Sequence, residues 1–296
     1  MPTRVDAALV RDGLARSRRH AAELIAAGRV TVDGAPVRRA AAPLGDDQRA
    51  RVAPDPTGAP ADDWASRGAH KLLGALEAFG DVVVEGRDCL DAGASTGGFT
   101  DVLLRRGARR VLALDVGHDQ LVDRLRADPR VEAREGVNVR YLSPADVDPA
   151  PGLVVADLSF ISLTLVLPAL AAVAAPGADL LLMVKPQFEV GRERLGSGGV
   201  VRSAEQRAEA VLAVAAAAEE HGLAVAGVAR SPLPGPSGNV EYFLRLRRGG
   251  ARAHDTAHDT AHDTAHDAAH DTGAALTGDA LAARVRAVVT EQEEGA

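Results

Sequence analysis

Lys71 and Lys185 are the only lysines in a chain with 34 basic residues; every other one is arginine. Arginine keeps its proton in proteins, whereas a buried lysine can lose its own and serve as a base or a compact donor. A sequence that uses arginine wherever a plain charge suffices marks these two positions as candidates for chemistry, with chance retention as the plain alternative. Two carboxylates join them. Asp157 (ADLSF) and Lys185 (MVKPQFEVG) each follow a short apolar run, and Glu241 (PGPSGNVEYF) precedes another. Lys71 falls in SRGAHKLLGALEAF, a helical pattern. Two ammonium groups and two carboxylates brought to one point could orient a hydroxyl and remove its proton. Taken singly, each has a dull explanation: a helix face for Lys71, a cap for Asp157, a surface strand for Glu241.

A second constellation is LDAGASTGGFT, which places Asp91 and a glycine-rich turn between an apolar run and a helical one. Gly93, Gly97 and Gly98 allow close approach of the backbone to a ligand, and the helix start offers free N–H groups. The turn reads G-x-x-x-G-G rather than G-x-G-x-x-G. Asp115 ends the next run, 24 residues beyond Asp91, where a carboxylate commonly holds ribose hydroxyls. These residues alone fit either a dinucleotide or S-adenosylmethionine.

The elements that must position these groups alternate. Residues 88–93, 109–117, 154–160 and 179–186 are short apolar runs of the kind that form buried parallel strands. Helical stretches, including 100–106 and 203–222, lie between them, and 239–248 suits an antiparallel closing strand. The alternation predicts a doubly wound α/β sheet, with ligands at the carboxyl ends of its strands. Ahead of it, residues 4–14 and 17–30 read as two short helices and 29–37 as a hairpin turning at Asp33-Gly34. Residues 1–51 carry ten Arg against six Asp or Glu, a basic module inside a chain of net charge −7. Arg16, Arg18 and Arg19 crowd the start of the second helix, where Ser17 is the expected cap. A Pro-, Gly- and Asp-rich linker is expected over 53–66. Its Trp64 is either a local packing residue or part of a hinge that couples the basic module to the ligand site of the second segment.

The remaining composition narrows the function. Hydrophobic content of 46% and charged content of 25% are those of a soluble globular protein. No secretory leader and no unbroken apolar span is expected, and the single cysteine, Cys89, suits a reducing compartment. Residues 250–296 contain the repeat HDTAHDTAHDTAHDAAHDT. His254, His258, His262, His266 and His270 would share one helix face, but a solvated, disordered low-complexity tail is the expectation, with a loose helix toward its Ala-rich end. No metal site and no obligate protein partner is expected.

Two resemblances add to this reading. LARSRRHAAELIAAGRVTVDGAPV resembles the small RNA-binding domain named after ribosomal protein S-four, which implies an S4-like α+β module over residues 1–52 and binding to structured RNA. Arg4, Arg16, Ser17, Arg18, Arg19 and Trp64 are the residues expected to serve it. The tetrad Lys71, Asp157, Lys185 and Glu241 resembles that of FtsJ-like ribose 2′-O-methyltransferases. The order SRGAHKL, LDAGASTGGFT, DLSFISL, VKPQFEVG and PGPSGNVEYF is similar to the TlyA family over residues 4–248; the repeat tail is not. This implies a Rossmann-like, S-adenosylmethionine-dependent methyltransferase domain, mostly parallel and seven-stranded, over 67–249. It implies methylation of a cytidine 2′-hydroxyl in ribosomal RNA of the large subunit, with the small subunit as a further target, in the cytoplasm. Asp91, Gly93, Ser95, Gly97, Gly98, Phe99, Asp115 and Asn138 are implied to line the cofactor pocket. The alternatives are an RNA-binding assembly factor with an idle methyltransferase fold and a haemolysin-like, membrane-active protein. A cytosine C5 enzyme is disfavoured, because Cys89 lies at the beginning of the first strand, away from the chemistry.

Overall fold

The computed structural model describes residues 3–12, 14–15, 18–45, 47–53, 64–196, 198–235, 238–249 and 275–291. The chain divides into two compact units, Met1–Ala65 and Ser66–Ala296.

The first unit runs β1 (Thr3–Arg4), α1 (Val5–Arg11), α2 (Arg18–Ala26), β2 (Val30–Val32), β3 (Ala35–Pro36), β4 (Pro43–Leu44) and β5 (Ala50–Val52). Apolar residues recur at helical spacing in both helices. Val5, Ala8 and Leu9 from one, with Ala21, Leu24 and Ile25 from the other, are buried over Val30, Val37 and Leu44. The β2–β3 hairpin turns at Asp33 and Gly34, both left-handed (φ 48° and 85°), as a two-residue turn between right-twisted strands requires. β5 pairs along the other side of β2, and β1 pairs with β4.

The second unit runs α3 (Gly68–Ala78), β6 (Asp88–Ala92), α4 (Gly98–Arg105), β7 (Arg110–Asp115), α5 (Asp123–Arg126), β8 (Val131–Glu135), β9 (Leu153–Ala156), α6 (Leu167–Val173), β10 (Asp179–Val184), α7 (Pro186–Glu189), α8 (Ala204–Glu220), β11 (Leu223–Arg230), β12 (Tyr242–Arg248) and α9 (Gly278–Thr290). Seven strands form one sheet in the order β11-β12-β10-β9-β6-β7-β8. From β10 to β8 all neighbours are parallel; β12 runs against both β10 and β11. Every residue of β6, β9 and β10 is buried, because helices cover both faces, and this is why these strands read as continuous apolar runs. The chain steps outward from β6 through β7 to β8, then returns to β9 and β10 on the other side of β6. That reversal opens a crevice at the carboxyl ends of β6 and β9. β9 stops at Ala156 rather than continuing to residue 160 as its apolar pattern suggested, so Asp157 through Phe160 form a turn over the crevice.

The tail expectation needs correction. Residues 251–274, with the whole histidine repeat, lie outside the described residues, but α9 belongs to the fold. Its Leu281, Val285, Val288 and Val289, spaced i, i+4, i+7 and i+8, are buried in the same core as α8 and β11, and the Leu276 N–H donates to the Val225 carbonyl at 2.7 Å. Burial of an aliphatic side chain contributes about 1.5–3 kcal/mol. Truncation before residue 275 is therefore expected to lower the melting temperature by roughly 5 °C or more, measured by calorimetry. An unchanged midpoint would show that α9 adds nothing to the core.

Candidate active site

The four tetrad residues, 170 positions apart at their extremes, meet at the carboxyl end of the sheet. α3 places Lys71 on its buried side beside Leu72 and Ala75. Its Nζ donates to Glu241 Oε2 at 2.5 Å, reaches Met183 Sδ at 3.6 Å and lies 3.8 Å from Asp157 Oδ2. Lys185, directly after β10, places its Nζ 2.6 Å from Asp157 Oδ1 and donates to Ser159 Oγ at 3.0 Å. Lys71, Lys185 and Glu241 are buried at 8%, 6% and 1% exposure. Charges so far from water persist only when paired, and here two cations and two anions alternate along one chain of contacts. Asp157 is the shared member and the most open, with 22% of its side chain exposed.

Glycine makes room for two of these groups. A Cβ on Gly235 would sit 2.5 Å from Glu241 Oε1, and one on Gly93 would sit 2.9 Å from the Asp157 carbonyl. The Asp157 N–H also donates to the Ala92 carbonyl at 3.2 Å, so the ends of β9 and β6 close on one another.

The glycine-rich turn folds back on β7, with the Gly93 and Ala94 N–H groups donating to the Leu114 carbonyl. Gly93, Ser95 and Gly97 are all left-handed (φ 86°, 48° and 98°), which bends the turn sharply before α4. Asp115 accepts from the Ser95 N–H at 2.8 Å and the Gly117 N–H at 2.7 Å, while Ser95 Oγ bonds Gln120 at 3.1 Å. A carboxylate has about four lone-pair sites, so Asp115 retains capacity for hydroxyls. Asp91 is wholly buried; its Oδ2 accepts from Thr100 Oγ1 at 2.6 Å and its Oδ1 has no partner. Burial pushes its carboxyl up to about 7, against the pull of the Thr100 hydrogen bonds. Asn138 is exposed, its Oδ1 occupied by the Arg140 N–H at 3.0 Å, which leaves its amide N–H₂ to project.

Three residues expected in the cofactor pocket turn their Cβ directions or side chains elsewhere. Gly97 faces Leu125 and Leu121, and Gly98 faces Ser66 Oγ and the Ala69 backbone, so these glycines let α5 and α3 pack closely. Phe99 is buried against Phe243, ring centroids 6.1 Å apart. What these three can give a ligand is backbone N–H. Gly98 thereby seats the start of α3, the helix that carries Lys71.

Several neighbours escaped the sequence reading. Ser159 and Phe160 lie in the DLSF motif but had no assigned role, and Phe160 is 91% exposed with φ 65°, its ring 5.4 Å from that of Phe188. A fully exposed aromatic beside the tetrad could not be read from a pattern in which Phe signals core. Cys89 is buried, and burial pushes its thiol up to about 12, so no thiolate is available. At the amino end of the sheet, a shallow depression lined by Asp88, Arg109, Arg110 and Arg130 holds arginines already paired with Asp88, Glu132 and Asp128. It lies at the other end of β6 and β7 from the tetrad.

In the first unit, Asp6 is buried and gathers Arg4 and Arg18, whose guanidinium groups lie 2.9 and 3.1 Å from its Oδ2. The Arg4 hydrogen bond above all holds the Asp6 carboxyl below its usual range. More than half of each arginine side chain stays exposed, 51% and 58%. Such a fixed pair of guanidinium groups suits phosphate. Arg16 and Ser17 lie outside the described residues, as does the side chain of Arg19; Trp64 is half-buried.

A doubly wound sheet with a glycine-rich turn and a Lys-Asp-Lys-Glu cluster at its switch point defines a group-transfer enzyme of the methyltransferase class. The model of the FtsJ-like methyltransferase family matches residues 64–248, and that of the S4 domain residues 3–49. A Mycobacterium tuberculosis protein named 16S/23S rRNA (cytidine-2′-O)-methyltransferase TlyA is 58% identical over 82% of this chain and 89% of its own. A Bacillus subtilis protein, YqxC, named as a candidate rRNA methyltransferase, is 38% identical over 82% of this chain and 85% of its own. A solved Streptococcus thermophilus chain, described as a candidate hemolysin, is 34% identical and covers 99% of this chain and 98% of its own with a TM-score of 0.70. The chain belongs to the TlyA family of FtsJ-like methyltransferases.

Proposed function

We propose that this protein methylates the ribose 2′-hydroxyl of a cytidine in ribosomal RNA, using S-adenosylmethionine, in the cytoplasm. The observation that carries the reading is the buried tetrad, with Lys185 held 2.6 Å from Asp157 and Lys71 held 2.5 Å from Glu241 at the switch point of the sheet.

The residues present fit the cofactor. Asp91 Oδ1 is an orphaned buried acceptor suited to an ammonium group, Asp115 ends β7 where ribose hydroxyls are bound, and Gly93 leaves the turn open to close approach. Bound S-adenosylmethionine would supply a methyl group already activated on a sulfonium, so positioning carries most of the acceleration. The chain must then hold the hydroxyl and dispose of its proton. Lys185 is fixed by Asp157 and Ser159 within the crevice, and we assign to its neutral amine, formed when the ammonium releases its proton to solvent ahead of the transfer, acceptance of the 2′-hydroxyl proton as the new carbon–oxygen bond forms. Lys71, tied to Glu241, keeps a second positive charge near the developing alkoxide. The first unit supplies RNA affinity through Arg4 and Arg18, with Arg16 and Arg19 alongside in sequence.

Phe160 offers a platform for an unstacked base. Phe160→Ala is expected to lower kcat/KM for RNA on the order of tenfold while cofactor affinity stays unchanged, as loss of one aromatic stack does. An unaltered kcat/KM would remove Phe160 from the site. Among the described residues no helix is long and apolar enough to cross a membrane.

The reading is tested by incubating the protein with labelled S-adenosylmethionine and unmodified ribosomal RNA, then digesting the product to nucleosides. Label in 2′-O-methylcytidine supports it. Label in a base-methylated nucleoside overturns it, and RNA binding without transfer favours an assembly factor with an idle pocket.

A further inference from the structure

The turns that follow β9 and β10 are joined by more than the tetrad. Lys185 reaches across to Asp157 and Ser159, and Phe188 packs against Phe160. Behind these, Glu189 at the end of α7 accepts two hydrogen bonds from the far end of the β9 turn, from Ser162 Oγ at 2.5 Å and from the Leu163 N–H at 2.9 Å. Ser162 Oγ in turn lies 2.7 Å from Thr164 Oγ1 and accepts from the Thr164 N–H. α7 is one turn long, with Lys185 as its N-cap and Glu189 as its last residue, so the two side chains grip the same opposing turn from both ends. Between the gripped points the chain passes through Phe160 at φ 65°, a region that bulky side chains avoid unless their surroundings enforce it.

We propose that Glu189 is a positioning residue for methyl transfer: through Ser162 and the Leu163 N–H it locks the β9 turn onto the β10 turn, so that Asp157, Ser159 and Phe160 meet Lys185 in one arrangement. Burial pushes the Glu189 carboxyl above its usual range against both hydrogen bonds, a cost that a solvated surface residue does not carry. Glu189 stands in none of the tetrad or cofactor contacts. The inference rests on the proposed function and deepens it.

The test uses the full chain with Glu189→Gln, the milder Ser162→Ala, and both together, assayed for methyl transfer to ribosomal RNA. Glutamine fills the same space and can keep the Leu163 N–H bond through its oxygen, but it turns an amide N–H₂ toward Ser162 Oγ and so removes the carboxylate acceptor for that hydroxyl, the contact that Ser162→Ala also removes. Each single variant is expected to lose about tenfold or more in kcat with KM for S-adenosylmethionine and the melting temperature nearly unchanged, and the double variant to be no worse than the poorer single one, because both break one contact. Turnover within about twofold of wild type in both singles overturns the clamp, as do losses that multiply in the double variant. Loss of turnover that tracks a falling melting temperature overturns it too, since that is a structural role. A wild-type protein that transfers no methyl overturns the functional reading and the clamp with it; an active wild type with unaffected variants overturns the clamp alone.

Discussion

Lys185→Arg is expected to yield a folded protein that binds cofactor and transfers almost no methyl. The substitution keeps the positive charge, so a role confined to charge would survive it. Three properties are lost. Guanidinium does not give up its proton at any working pH, so it cannot receive one from a hydroxyl. It is planar and larger than an ammonium group, in a site where the side chain is 7% exposed and already committed to Asp157 and Ser159. It also fans its donors away from the single point that Nζ occupies. Removal of a positioned proton acceptor typically costs about 10²–10⁴ in rate, and that range is expected here for kcat, with cofactor Kd within about twofold of wild type. Lys71→Arg is expected to suffer the same misfit against Glu241, with a smaller loss, because the role proposed for Lys71 is to hold charge rather than to move a proton. The two variants are separated by single-turnover kinetics with saturating cofactor.

Asp91→Asn is expected to stabilise the protein at alkaline pH while it abolishes cofactor binding. Asp91 is 0% exposed, and burial raises its folded-state pKa to about 7, well above the unfolded value. The sign follows from proton uptake. Between the unfolded value of about 4 and the folded value of about 7 the native state holds the extra proton, so Asp91's favourable contribution is complete below that window and lost as pH rises through it. Above it the fold carries an ionised carboxylate with one partner, Thr100, at a cost of a few kcal/mol. Asparagine has the same shape, stays neutral and can still accept from Thr100. Thermal melts at about pH 4 and about pH 8 should show the variant close to wild type at the first and more stable at the second. A stability difference that does not change with pH contradicts this account of Asp91. Calorimetric titration should show S-adenosylmethionine binding lost in the variant, since the anion that suits its ammonium group is gone.

Much of the second unit was legible because its strands are buried on both faces. Residues 88–93, 109–117 and 179–186 read as apolar runs that end in polar groups, and β6, β7 and β10 occupy them. β8 was not legible. Its residues, Val131 to Glu135, alternate with charges at half-buried positions on the sheet edge, so nothing in the run announces a strand. α9 was legible only as a loose helix: its stripe of Leu281, Val285, Val288 and Val289 follows a low-complexity repeat, and nothing local announces that the stripe joins the core of the sheet domain. The tetrad was found by residue type, since the scarcity of lysine singled out Lys71 and Lys185. Its supporting groups were not, because Ser159, Gly235 and Glu189 are ordinary residue types whose roles come from distance alone. The glycine-rich turn was legible as a place where backbone approaches a ligand, but not the second use of Gly97 and Gly98, whose missing side chains admit Leu125 and Ser66.

The central claim is that Lys185 accepts the proton of a cytidine 2′-hydroxyl on ribosomal RNA. The measurement that tests it most directly is methyl transfer from labelled S-adenosylmethionine to unmodified small and large ribosomal subunits offered separately, wild type beside Lys185→Arg, with the modified ribose mapped. Label on a cytidine 2′-oxygen with the wild type, and its loss in the variant despite intact cofactor binding, is the predicted result and also fixes the subunit. Equal labelling by the two proteins would contradict it.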